Sequence, residues 1–151
     1  MSMKYRIPAL ILLLALFYLL SGCFSIPGLG PPSWDLTGVS WVLVSYDDGK
    51  NNFVSVPSAT DIALVFEKDG KLTGNAGCND YFGDYSLDGG LITISSLAST
   101  EKYCPLPEGV MDLEQHYLTL LQQTTRYNID GDELVLSYYD VKRLLIFRKG
   151  V

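Results

Sequence analysis

The sequence predicts a mostly-β, α+β domain: an antiparallel sheet of about seven or eight strands, curled into a half-open barrel and packed on one α-helix. Three observations predict it. Apolar and polar residues alternate at period two through most of the chain, the pattern of half-buried strands. Asp-Gly turn signals recur at short intervals between those runs. Only one segment, Glu108 to Thr124, carries helical spacing.

The chain opens on something other than this domain. Met1 to Arg6 carries two positive charges, Lys4 and Arg6, and an almost unbroken apolar run follows from Ala9 to Leu20. A basic start, an apolar stretch and small residues at its end make a secretory signal peptide. The run falls short of the ~20 residues that cross a bilayer. Its end, Leu20-Ser21-Gly22-Cys23, resembles the lipobox of a prokaryotic lipoprotein. That resemblance implies cleavage before Cys23, a diacylglyceryl group on its sulfur and acylation of the new N-terminus. Residues 1–22 are then a lipoprotein signal peptide, and the remainder is extracytoplasmic, lipid-anchored to the cell membrane or an outer membrane. An uncleaved anchor or ordinary cleavage places the domain on the same side. Residues 23–33, rich in Pro and Gly, cannot hold a helix or central strand and read as a tether. The folded domain is expected over residues 34–151.

Within it the strands follow in order. Val39 to Tyr46 ends at Asp47-Asp48-Gly49; Ile62 to Phe66 and Lys71 to Asn75 flank Asp69-Gly70 as a hairpin. A second hairpin runs from Tyr81 to Ser95 around Asp88-Gly89-Gly90, and a third from Tyr127 to Tyr138 around Asp130-Gly131-Asp132. Leu144 to Phe147 closes the sheet. The helix starts just after Pro107, where a missing N–H costs little. Val110, Met111, Tyr117, Leu118 and Leu121 form its apolar side, and Glu108, Asp112 and Glu114 crowd its first half, where the helix dipole favours negative charge.

Charge narrows the partners. Eleven Lys and Arg stand against seventeen Asp and Glu, a formal net charge of −6, and losing Lys4 and Arg6 with the leader takes it to −8. Such a surface repels phosphate backbones and anionic headgroups, so nucleic acid is not an expected partner. Retention at a membrane falls to acyl chains instead.

Chemistry-bearing residues are few. With Cys23 given to lipid, Cys78 and Cys104 remain. In an oxidising compartment they read as a disulfide; two buried thiols, or a metal site shared with His116, are the alternatives. The sequence contains no Gly-x-Ser-x-Gly elbow, phosphate loop or His-Glu-x-x-His motif. A hydrolase using Cys78 with His116 is the least implausible catalytic reading, and a polar-face histidine is the simpler one. Asp47-Asp48-Gly49 and Asp130-Gly131-Asp132 look like fragments of calcium loops, but hairpin turns account for both. Asn79, Tyr81, Phe82, Tyr85, Tyr103 and Tyr117 are candidates to line an apolar cleft between helix and sheet, sized for an acyl chain or extended peptide; a filled core is the alternative.

The segment from Gly74 to Tyr85 is dense in Gly and Asn, which suggests left-handed residues or a bulge. Ala76-Gly77-Cys78-Asn79, Phe82-Gly83-x-Tyr85, Leu97-Ala98-Ser99-Thr100 and Cys104-Pro105 before an acidic helix resemble the META domain family, which includes HslJ-like heat-shock proteins. Trp41 with Leu43 and the closing Leu134-x-Leu136 also fit. Asp80 departs from the basic or polar residue many members carry after Gly-Cys-Asn. The resemblance spans about Leu36 to Arg148 and implies a fold and an address more than a reaction. Members are mostly secreted or lipid-anchored, linked to stress response, antibiotic tolerance, motility and virulence secretion, and the fold is similar to that of lipid-binding pilotins. Cys78 and Cys104 match the family's two cysteine positions. The resemblance implies no catalytic residue and no cofactor. The expected role is non-catalytic: a monomer that binds an envelope protein or small hydrophobic ligand, or a structural stress-protective protein without a specific ligand.

Overall fold

The structure, a computed structural model, describes residues 36–139 and 142–150. The signal peptide, Cys23 and the tether lie outside the described residues. Among these residues nine strands and one helix follow in the order β1(Ser40–Asp47), β2(Phe53–Ser55), β3(Ile62–Phe66), β4(Lys71–Ala76), β5(Asp80–Asp88), β6(Leu91–Ser99), α1(Val110–Gln123), β7(Arg126–Asp130), β8(Glu133–Tyr138) and β9(Lys142–Lys149). The sequence predicts eight of these strands and the helix. The ninth, β2, is three exposed residues laid against the end of β1. It is too short to display any period.

All the strand pairings are antiparallel, and the sheet curls until β1 pairs with β9, from Trp41 opposite Lys149 to Tyr46 opposite Leu145. The alternation expected from the sequence decides which side faces in. Trp41 and Leu43 on β1, Ile62, Leu64 and Phe66 on β3, and Leu134 and Leu136 on β8 are buried. Leu144 and Leu145 on β9 are adjacent yet both buried, and the register shift opposite Leu136 and Ser137 explains it. A bulge adds one residue and resets which face the next side chain takes. Gly131, with φ 59°, supplies the left-handed residue of the Asp-Gly turn between β7 and β8.

Helix α1 packs one side against this ring-like sheet. Val110, Leu113, Tyr117, Leu120 and Leu121 are buried on one side, with spacing of three and four residues. The Tyr117 ring meets Phe147 edge-on at 6.4 Å and Tyr81 at 5.7 Å. Gly74 leaves the space that the Tyr81 ring occupies, since a Cβ there would collide with that ring and the Ala63 carbonyl.

At the centre two phenols share one hydrogen bond. Tyr81 donates its proton to the Ala63 carbonyl at 2.9 Å, so the Tyr117 hydroxyl, 2.6 Å away, must donate to the Tyr81 oxygen. Burial pushes both phenols above the ordinary tyrosine range, Tyr81 with a further contribution from Tyr117. A raised folded-state value means the stabilisation is complete below about pH 10 and declines as pH climbs beyond it. In an alkaline absorbance titration, Tyr81 and Tyr117 should therefore ionise only together with unfolding. Smooth titration of every tyrosine with the fold intact would contradict this packing.

Candidate functional site

The turn between β4 and β5 holds the Gly-Cys-Asn motif, and it is tightly built. Asn75 accepts the Gly77 N–H through Oδ1 at 2.8 Å, and the Ala76 N–H donates to the Asn79 carbonyl at 2.8 Å. Gly77 has φ 110°, and a Cβ there would press on Thr60 and Val110. Only glycine fits both the angle and the space.

Asn79 is 2% exposed and uses every hydrogen-bonding position of its side chain. Its Nδ2 donates to Glu114 Oε1 at 2.7 Å and to the Lys102 carbonyl at 3.1 Å. Its Oδ1 accepts from Thr100 Oγ1 and from the Lys102 N–H, both at 2.7 Å. The amide thus pairs with residue 102 as one more peptide unit would. Glu114, 6% exposed, takes the other side: its Oε2 accepts the Asn79 N–H at 2.7 Å and the Cys78 N–H at 3.2 Å. A buried carboxylate needs such donors, and three N–H groups converge on this one.

The same place carries the disulfide. Cys78 is bonded to Cys104, with Cα atoms 5.9 Å apart. This selects among the alternatives left open by the sequence: the sulfurs are spent on each other, which leaves neither a thiolate for His116 to activate nor a ligand for a metal. His116 is engaged elsewhere. Its Nε2 lies 2.6 Å from the Asp47 carbonyl, which can only accept, so that nitrogen carries the proton. Tyr46 meets the imidazole edge-on at 5.8 Å.

Asp47 and Asp48 serve their turn. Buried Asp47 accepts the Gly49 N–H at 2.7 Å and pairs with Lys142 at 3.1 Å. Asp48 accepts the backbone N–H groups of Lys50 and Asn52, and with the Asn52 amide these hold its carboxyl below the usual range. No cluster of three or more His, Cys, Asp or Glu among the described residues is placed to hold a metal.

The six cleft candidates do not surround a common cleft. Asn79, Tyr81 and Tyr117 are buried, the last two in the core. Phe82 is 56% exposed and Tyr103 81% exposed. Tyr85 packs its ring edge-on against Phe66 at 4.9 Å and donates its hydroxyl to the Glu67 carbonyl. Neighbours on a strand point to opposite faces, so Tyr81 and Phe82 were bound to separate. A shallow groove does exist, of about 210 Å³, between β6 and α1, lined by Leu97, Ala98, Ser99, Gln115, Leu118, Thr119 and Gln122. None of the six borders it.

Glu114 is the residue whose role sequence reasoning missed: it was read only as a charge favoured by the helix dipole. Its signal was there: Val110, Glu114, Tyr117 and Leu121 fall on one helical stripe, so the acid interrupts a buried face.

The META domain family model matches residues 34–151. The chain belongs to the META domain family. Among solved structures, this META domain resembles a protein from Burkholderia xenovorans determined by NMR, at 27% identity and TM-score 0.63, over 77% of this chain and 84% of that one. It shares its fold with a DUF4847 family protein from Bacteroides vulgatus, at 16% identity and TM-score 0.56, over 75% and 93% of the two chains. A further NMR structure aligns at 23% identity and TM-score 0.56, over 75% and 90%. No curated protein matches the chain in sequence.

Two variants separate the supports of this turn. Glu114→Ala strands three buried donors, and a loss of about 3–5 kcal/mol is expected in denaturant unfolding. Replacing Cys78 and Cys104 together by Ser should cost about 3.5 kcal/mol, the loop-closure contribution for a separation of 26 residues. A Glu114→Ala variant as stable as the parent would show that the carboxylate is not the anchor described.

Proposed function

We propose that this META domain is a lipid-anchored, extracytoplasmic protein that binds a component of the cell envelope without catalysing a reaction. The observation that carries the reading is the Cys78–Cys104 disulfide, taken with the leader that ends at Cys23. Disulfides persist in oxidising compartments and are rare in reducing ones, so the bond supports export. The leader supports the route and the anchor. The bond also spends the one sulfur that the hydrolase reading requires, while His116 is bonded to the Asp47 carbonyl. That favours binding over catalysis. Anchoring that lasts needs more than one acyl chain, because a single chain holds a protein only marginally. The acidic domain gains nothing from anionic lipid, so Cys23 carries the whole attachment.

Growth on labelled fatty acid should mark the wild-type protein and leave Cys23→Ser unmarked. The intact wild-type mass should correspond to a chain starting at Cys23 with acyl groups added. Undiminished labelling of Cys23→Ser would reject the anchor.

A further inference from the structure

Strand β6 is paired along only one side for most of its length. Towards β7 it has a single register partner, Leu91 opposite Arg126. Two neighbouring hydrogen bonds complete that contact, from the Ile92 N–H to the Thr125 carbonyl and from the Tyr127 N–H to the Gly90 carbonyl. Further along, a bulge turns the strand. Ser96 takes φ 54°, and the register with β5 shifts between Phe82 and Asp84, opposite Gly83. A Cβ at Gly83 would press on the Ser95 carbonyl and on Leu97, so glycine permits the bend. Bulges increase local twist, and this one turns a part of β6 that already runs on without β7.

Beyond the bulge the direction of each backbone group follows from one bond. The Thr100 N–H donates to the Asp80 carbonyl at 3.0 Å, so Thr100 and Ala98 point at β5. By alternation Leu97 and Ser99 point the other way, into the groove beside α1. The opposite wall is Gln115, Leu118, Thr119 and Gln122. None of the seven lining residues is charged, in a chain with eleven basic and seventeen acidic side chains. An ion finds no counter-charge there. A neutral peptide backbone finds N–H and C=O groups on one side, glutamine amides on the other, and Leu97 and Leu118 for apolar contact.

We infer that this groove takes a short, extended, uncharged peptide segment of a partner protein as an added strand on β6 at Leu97–Ser99. Strand addition draws affinity from main-chain hydrogen bonds and selectivity from the walls. Three edge residues span about 10 Å, so the segment seated is correspondingly short. The inference rests on the binding role proposed above and names its partner class. Loss of the lipid anchor would leave the groove intact, so the fatty-acid labelling and the following experiment fail separately.

The experiment is hydrogen exchange by NMR on the full chain in detergent, titrated with capped Ac-Thr-Val-Thr-Val-Thr-NH2 at millimolar concentration. The Leu97 and Ser99 amides should exchange about fivefold more slowly with peptide, while Ala98 and Thr100, already bonded to β5, stay unchanged. Gln122→Lys, on the exposed helix wall, should abolish the slowing, as should Ser99→Pro, which removes one groove-facing N–H. Four results would overturn the proposal. One is no slowing in the wild type; another is equal binding of peptides with Lys or Asp in place of Val. Protection that rises with protein concentration alone would give the groove to a second copy. Displacement of the peptide by a medium-chain fatty acid would give it to lipid.

Discussion

The domain depends on a carboxylate placed where the core would otherwise take an apolar side chain. Glu114 lies on the buried side of α1 and receives the N–H groups of Cys78 and Asn79 together with the Asn79 amide. Through Asn79 the same network reaches Thr100 and Lys102, in the segment that leads from β6 to the helix. Three parts of the chain that are far apart in sequence are thereby fixed at one point. Apolar contact alone would pack the helix against the sheet with little preference for its rotation. Directional hydrogen bonds to a single buried acid choose one arrangement, because any other leaves several polar groups without partners.

The disulfide is a second tie across the same joint, and the two ties work differently. The Cys78–Cys104 bond restricts the unfolded chain, and so adds stability whether or not neighbouring groups are well aligned. The Asn79–Glu114 network contributes only in the folded geometry. Together they hold a loop that displays Tyr103 and Leu106 to solvent.

Much of this was legible in the sequence, for reasons that differ by element. The hairpins were, because Asp69-Gly70, Asp88-Gly89 and Asp130-Gly131 combine a turn dipeptide with alternating flanks. The helix was, because one stretch alone breaks the period of two. Strand β2 was not: Phe53-Val54-Ser55 is held by pairing with Tyr46 and its neighbours, a tertiary influence with no local trace. The cleft of aromatic residues failed for a reason the alternation itself contains, since adjacent Tyr81 and Phe82 must face opposite ways. Asn79 was legible as a turn residue, but its bonds to residues 100, 102 and 114 depend on how the chain returns. The groove beside β6 was not legible, because it depends on β6 parting from β7 after Leu91 and on a bulge at Ser96, and ordinary strand residues conceal both.

The pairing of β1 with β9 also fixes how the domain answers a mechanical load. Ser40 and Gly150 adjoin, with the Gly150 N–H donating to the Ser40 carbonyl, and the two strands run in opposite directions from there. A pull applied across the two ends therefore acts crosswise to the ladder, on one rung at a time, and peels the strands apart as a zipper opens. Tension would open this seam from its Ser40–Gly150 end, rung by rung, before it reached the helix packed against the sheet.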